Sequence, residues 1–172
     1  MNPLILALVL GAGWPAAQSP AIPEASGYVH IAGAPFTPTE HDLYKAVFDA
    51  RQGAGKPGEL LPALDMAASE LNALAVEKVP LAHAQFAVVF HGDALDGILD
   101  DAHYRAKFGV ANPNLPVLAK LKAQGTGLYA CGQNLAAIGL DPKALTPDVE
   151  VASDALLTLI ALQQKGYALL SY

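Results

Sequence analysis

A chain of 172 residues that is 53% hydrophobic and only 15% charged has enough apolar surface for one domain with a real core, and too much to stay disordered. Its net charge of −6, with Lys and Arg scattered and no basic stripe, excludes nucleic acid and anionic membrane surfaces as expected partners. The single cysteine, Cys131, excludes an internal disulfide.

The apolar run Leu4–Leu10 is broken by Gly11 to Trp14, and Pro15-Ala16-Ala17 then offers small residues for cleavage. This reads as a signal peptide over residues 1–17, although no Lys or Arg precedes the run. It is too short to span a bilayer as a helix. The expectation is export to the periplasm or beyond, cleavage near Ala17 and no stable membrane insertion afterwards. Residues 18–40, punctuated by Pro20, Pro23, Pro35 and Pro38, read as a linker or N-terminal arm. Within it, Tyr28 to Ile31 is expected to pair briefly at a sheet edge. The folded domain is expected over residues 41–172.

Tyr44 to Asp49 is short and rich in aromatic and β-branched residues, and predicts a strand. After a glycine-rich loop, a helix is predicted from Glu59, with Leu60, Leu64, Ala67, Leu71 and Leu74 on one face and Pro62 in its first turn. Ala84–Phe90 is nearly continuous in apolar residues, the signature of a strand buried on both faces of a parallel sheet. Residues 94–108 predict one or two short helices. Asn112-Pro113-Asn114 predicts a turn that caps a helix from Leu115 to Gln124, stopped by Gly125. A strand through Leu128 then meets a helix at Cys131, and Gly139 ends that helix. Val149 to Ala152 predicts a short strand, Ser153 the cap of a helix to about Lys165, and Tyr167 to Leu170 a last strand. Five strands alternating with helices imply an α/β fold, its mainly parallel sheet covered on both faces.

In such a fold, ligands bind beyond the C-terminal ends of the strands. That edge collects Asp49, His91, Gly92, Asp93, Cys131 and Gln133. A thiol at a strand-to-helix junction lies near backbone N–H groups and the positive end of the helix dipole, which favour the thiolate nucleophile. His91 offers proton handling beside it. Other chemistries fail on the residues. Gly11-Ala12-Gly13 precedes Trp14-Pro15 and cannot open a dinucleotide-binding helix; Gly55-Lys56 is followed by Pro57 and is no Walker loop. No Gly-x-Ser-x-Gly elbow is present. His91, His103 and Cys131 are suitable metal ligands, but without ligand spacing; no metal and no cofactor is expected. Asn112 and Asn114 are most economically turn residues. The helix from Ala155 to Leu162 is apolar around most of its surface, which predicts self-association.

The block Val88-Val89-Phe90-His91-Gly92, then Tyr104, Asn112-Pro113, Tyr129-Ala130-Cys131-Gly132-Gln133, and Ala155-Leu156 to Gln163 with Gly166-Tyr167 resembles the DsrE/DsrF-like family. The likeness is greatest to its exported branch with a Cys-Gly-Gln motif, and it covers residues 42–172. It implies a three-layer α/β/α domain of the YchN-like type, assembled into homotrimers or hexamers. It also implies sulfur carried as a persulfide on a cysteine in the position of Cys131, passed between donor and acceptor proteins. Those relays act in the cytoplasm, whereas this chain reads as exported. The expected site is Cys131 and His91 for the chemistry, with Gly92, Gly132, Gln133 and Asn112 around the substrate. The rival expectation is a non-catalytic oligomeric module that binds a small ligand or metal at the same edge.

Overall fold

The computed structural model describes residues 13–172, and the apolar run Leu4–Leu10 lies outside the described residues. Five parallel strands form one sheet: β1 (Tyr44–Ala50), β2 (Ala84–Phe90), β3 (Gly127–Cys131), β4 (Glu150–Ala152) and β5 (Ala168–Ser171), in the order β4-β3-β2-β1-β5. The central strand β2 alternates between two buried faces. Phe86, Val88 and Phe90 enter one core, and Ala87 and Val89 enter the other. This is why its sequence is apolar throughout.

Helices α1 (Pro62–Val76) and α3 (Leu115–Ala123) cover the first face; α2 (Asp101–Phe108) adds Tyr104 to the same core. Helix α5 (Ala155–Gln164) crosses β1, β2 and β3 on the second face. Small side chains there, Val47, Ala87 and Val89, let it lie close to the sheet. The short α4 (Gly132–Ile138) leaves the end of β3. The result is the expected three-layer α/β/α arrangement.

Several local expectations are corrected. Helix α1 begins at Pro62 rather than Glu59, because Gly58 has a positive φ of 92° and Leu61, preceding a proline, is held extended. Asp154, not Ser153, caps α5 by accepting the N–H of Leu157 at 2.9 Å. Asn114 makes no cap; its Oδ1 accepts the N–H of Leu61 instead. Tyr28 does not join the sheet, since its backbone pairs with Gln18 in an isolated antiparallel bridge.

The N-terminal arm is fastened down. Asn72, wholly buried on α1, accepts the N–H groups of Ala21 and Ile22 and donates to the carbonyls of Ile22 and Ser26, all within 3.1 Å. Ile22 enters the core as a result. Ser26 adds two hydrogen bonds to Asp65, and Glu24 meets Lys120 at 2.6 Å.

Candidate functional site

The three central strands deliver their C-terminal ends to one edge. The β2–β3 register pairs Phe90 with Ala130, so His91 continues opposite Cys131. The β1–β2 register pairs Asp49 with Val89, one alternation behind His91 on the same face. Cys131 on β3, His91 after β2 and Asp49 on β1 therefore stand in sequence across neighbouring strands. All three lie on the face that α5 covers.

His91 Nε2 and Asp49 Oδ1 are 2.6 Å apart, with both side chains mostly buried at 16% and 20% exposure. The carboxylate fixes the imidazole's orientation. The backbone N–H of His91 donates to the carbonyl of Ala50 and locks this junction to β1. Asp49 was placed at the sheet edge by sequence, but its pairing with His91 was not foreseen.

Cys131 occupies the residue preceding α4, and its Sγ accepts the N–H of Ala155, the first residue of α5, at 3.3 Å. That donor brings the N-terminal end of a ten-residue helix onto the sulfur. Cys131 is only 2% exposed. Among the described residues, no hydrogen bond joins it to His91.

The two residues after Cys131 face the same backbone. A Cβ on Gly132 would lie 2.7 Å from the carbonyl oxygen of Ala152, so no other residue fits there without displacing β4. Gln133 Nε2 donates to the carbonyl of Ser153 at 3.3 Å. The Cys-Gly-Gln segment is thus docked against the β4–α5 turn, residue by residue. Gly92 has a positive φ of 56° and donates its N–H to Asn134 Oδ1 at 2.9 Å, tying the β2 end to α4.

Asn112 is not brought to this edge. It is buried and fully engaged: Nδ2 donates to the carbonyls of Gly97 and Leu99, Oδ1 accepts from Asn114, and its N–H donates to Asp101. It is a turn-fixing residue with no side-chain polar atom left for a substrate. His103 is likewise remote from the thiol in its bonding, pairing with Asp100 at 2.8 Å. Among the described residues, no group of three or more His, Cys, Asp or Glu is arranged to hold a metal, and no helix is long and apolar enough to cross a membrane.

Two solved structures share this architecture. A protein of unknown function, MTH1491 from Methanobacterium thermoautotrophicum, superposes with a TM-score of 0.54 at 20% identity, covering 75% of this chain and 99% of its own. The ychN protein from E. coli gives a TM-score of 0.54 at 18% identity, covering 76% of this chain and 100% of its own. At these identities the likeness is one of fold. No curated protein matches the chain. The model of the DsrE/DsrF-like family matches residues 45–172, which take in all of the sheet but Tyr44, its helices and the Cys131 edge, and the chain belongs to that family.

Proposed function

We propose that this protein handles sulfane sulfur through Cys131, which holds it as a persulfide. The observation that carries the reading is the Ala155 N–H aimed at Cys131 Sγ from the start of α5, one strand from the His91–Asp49 pair. Family membership adds a sulfur-related role. In the step, His91 takes the thiol proton. The Cys131 thiolate attacks the outer sulfur of a persulfide donor, RSSH. A new S–S bond forms as the donor's S–S bond breaks, and the transferred sulfur keeps its proton. The donor leaves as RS⁻ and recovers a proton from His91. No net oxidation occurs, and the reverse step hands the sulfur to an acceptor thiol. Gly132 and Gln133 hold the β4–α5 turn against the sulfur, and Gly92 with Asn134 holds the imidazole's segment in place.

The working form in this reading is an exported homo-oligomer, periplasmic or secreted. Export is supported by the Leu4–Leu10 run and Pro15-Ala16-Ala17. Self-association is supported by Leu156, Leu157 and Ile160, which α5 leaves at least half exposed beside the thiol.

Iodoacetamide labelling of native protein tests the assignment. Cys131 is expected to react, more slowly than free cysteine because it is covered, and more slowly still in His91→Ala. Labelling that requires denaturation would make Cys131 a structural residue and favour a binding module without thiol chemistry. An unchanged rate in His91→Ala would remove the imidazole from the site.

A further inference from the structure

One cleft in the described structure touches neither Cys131 nor His91. It has a volume of about 600 Å³ and lies on the α1 side of the same sheet edge, between the loop after β1 and the 3-10 segment Gly92–Ile98 with α2. That size is within the range of roughly 300–1,000 Å³ usual for small-ligand sites. Its floor is buried: Leu61, Asn114 and the ring of Tyr104, which packs at 4.6 Å on Phe108.

Three features of this cleft favour one kind of occupant. Arg51 and Lys56 line it from the β1–α1 loop, and among the described residues neither makes an ion pair. By contrast Asp96, on the opposite wall, is already neutralised by Lys107 at 2.6 Å. Helix α1 starts at the cleft with no side-chain cap. The N–H of Leu61 is taken by Asn114, so what reaches the cleft wall at Leu61 is the positive end of the 15-residue helix's dipole. Finally, Tyr104 is only 3% exposed, yet its hydroxyl has no hydrogen-bond partner among the described residues and is not sealed from solvent. A hydroxyl that lines the cleft without a protein partner is spare capacity for a ligand.

We propose that this cleft is a second binding site, independent of the thiol, for a small organic anion. The anionic head sits between Arg51, Lys56 and the α1 N-terminus, and an apolar body rests on Leu61 and Phe108 beside the Tyr104 hydroxyl. Asp93 lines the far side and repels the head from there, which sets the ligand's direction. The close packing of Gly53 on Asp93, where an added Cβ would stand 3.3 Å from the Asp93 backbone oxygen and Cβ, holds the two walls together.

The test is an NMR titration of the isotopically labelled full chain with benzoate, benzenesulfonate, phenyl phosphate and neutral benzamide. The anions are expected to shift the amide signals of Gly53, Gly55, Leu61 and Gly97 in a saturable way. Benzamide should bind about tenfold more weakly. The tightest of the three anions identifies the head group. Arg51→Gln with Lys56→Gln, both on an exposed loop, should weaken the anions about tenfold and leave benzamide unchanged. Tyr104→Phe, which keeps the ring packing, should weaken them about threefold. No shift at these amides, equal binding of benzamide, or anion affinity unchanged in the double variant would each overturn the proposal.

Discussion

The two faces of the sheet are built to different depths. On the α1 face thirty buried residues form one core around Phe48, Phe90, Leu64, Leu71 and Leu118. On the α5 face, among the described residues, six are buried: Val47, Ala87, Val89, Cys131, Ala155 and Leu159. The first face has two helices, a third helix's tyrosine and the N-terminal arm; the second has one helix, whose outer side shows Leu157 at 63% exposure. The first face is complete in a single chain. The second leaves more apolar surface open, and it is the one that holds the thiol and the His91–Asp49 pair.

Core truncation should separate the two faces most strongly. Leu71→Ala on α1 should cost about 2–5 kcal/mol, whereas Leu159→Ala on the partly open α5 face should cost about 1–2 kcal/mol, because its surroundings can collapse or hydrate. Urea unfolding measures both, and equal losses would erase the distinction. A second effect falls on assembly. Leu157→Lys with Ile160→Lys should turn an oligomer into a monomer in sedimentation at micromolar concentration, while changing monomer stability by no more than about 0.5 kcal/mol. A wild-type chain that sediments as a monomer would show that the open face is not an interface between copies.

The smallest effect belongs to the α1 side, at the cap of α2. Asp100 accepts the backbone N–H of His103 at 2.8 Å, and that bond, with the His103 side chain, holds its carboxyl below the usual aspartate value. A lowered folded value means that its contribution is complete above the usual value and disappears as pH falls through the folded one. The His103 amide signal should therefore titrate with a midpoint below that of an ordinary aspartate, and the transition should vanish in Asp100→Asn. A midpoint at or above the ordinary value would contradict the capping bond.

What was legible in the sequence was local. Strand β2 was readable because seven residues without an outward polar face have one good home, the centre of a parallel sheet. The Cys131 junction was readable because apolar residues end at a glycine and a helix-forming run begins. What was not legible depends on long-range pairing. Asp49 meets His91 only through the β1–β2 register, which no spacing in the chain encodes. Asn72 looked like one more helix residue, yet it reads the backbone of Ile22 across 50 positions. Asn112 carried an asparagine's usual ambiguity, and only its four satisfied groups assign it to a turn. The burial of Cys131 arises from α5, twenty-four residues further on, whose first amide reaches the sulfur.

Sulfur transfer to Cys131 is tested most directly by intact-protein and peptide mass spectrometry after brief exposure to an inorganic polysulfide, without reductant. The expected result is a gain of one sulfur mass on the peptide carrying Cys131, reversed by dithiothreitol, absent in Cys131→Ser and slowed in His91→Ala. Native protein that gains no mass, while the same chain in urea does, would contradict the assignment of Cys131 as a sulfur carrier.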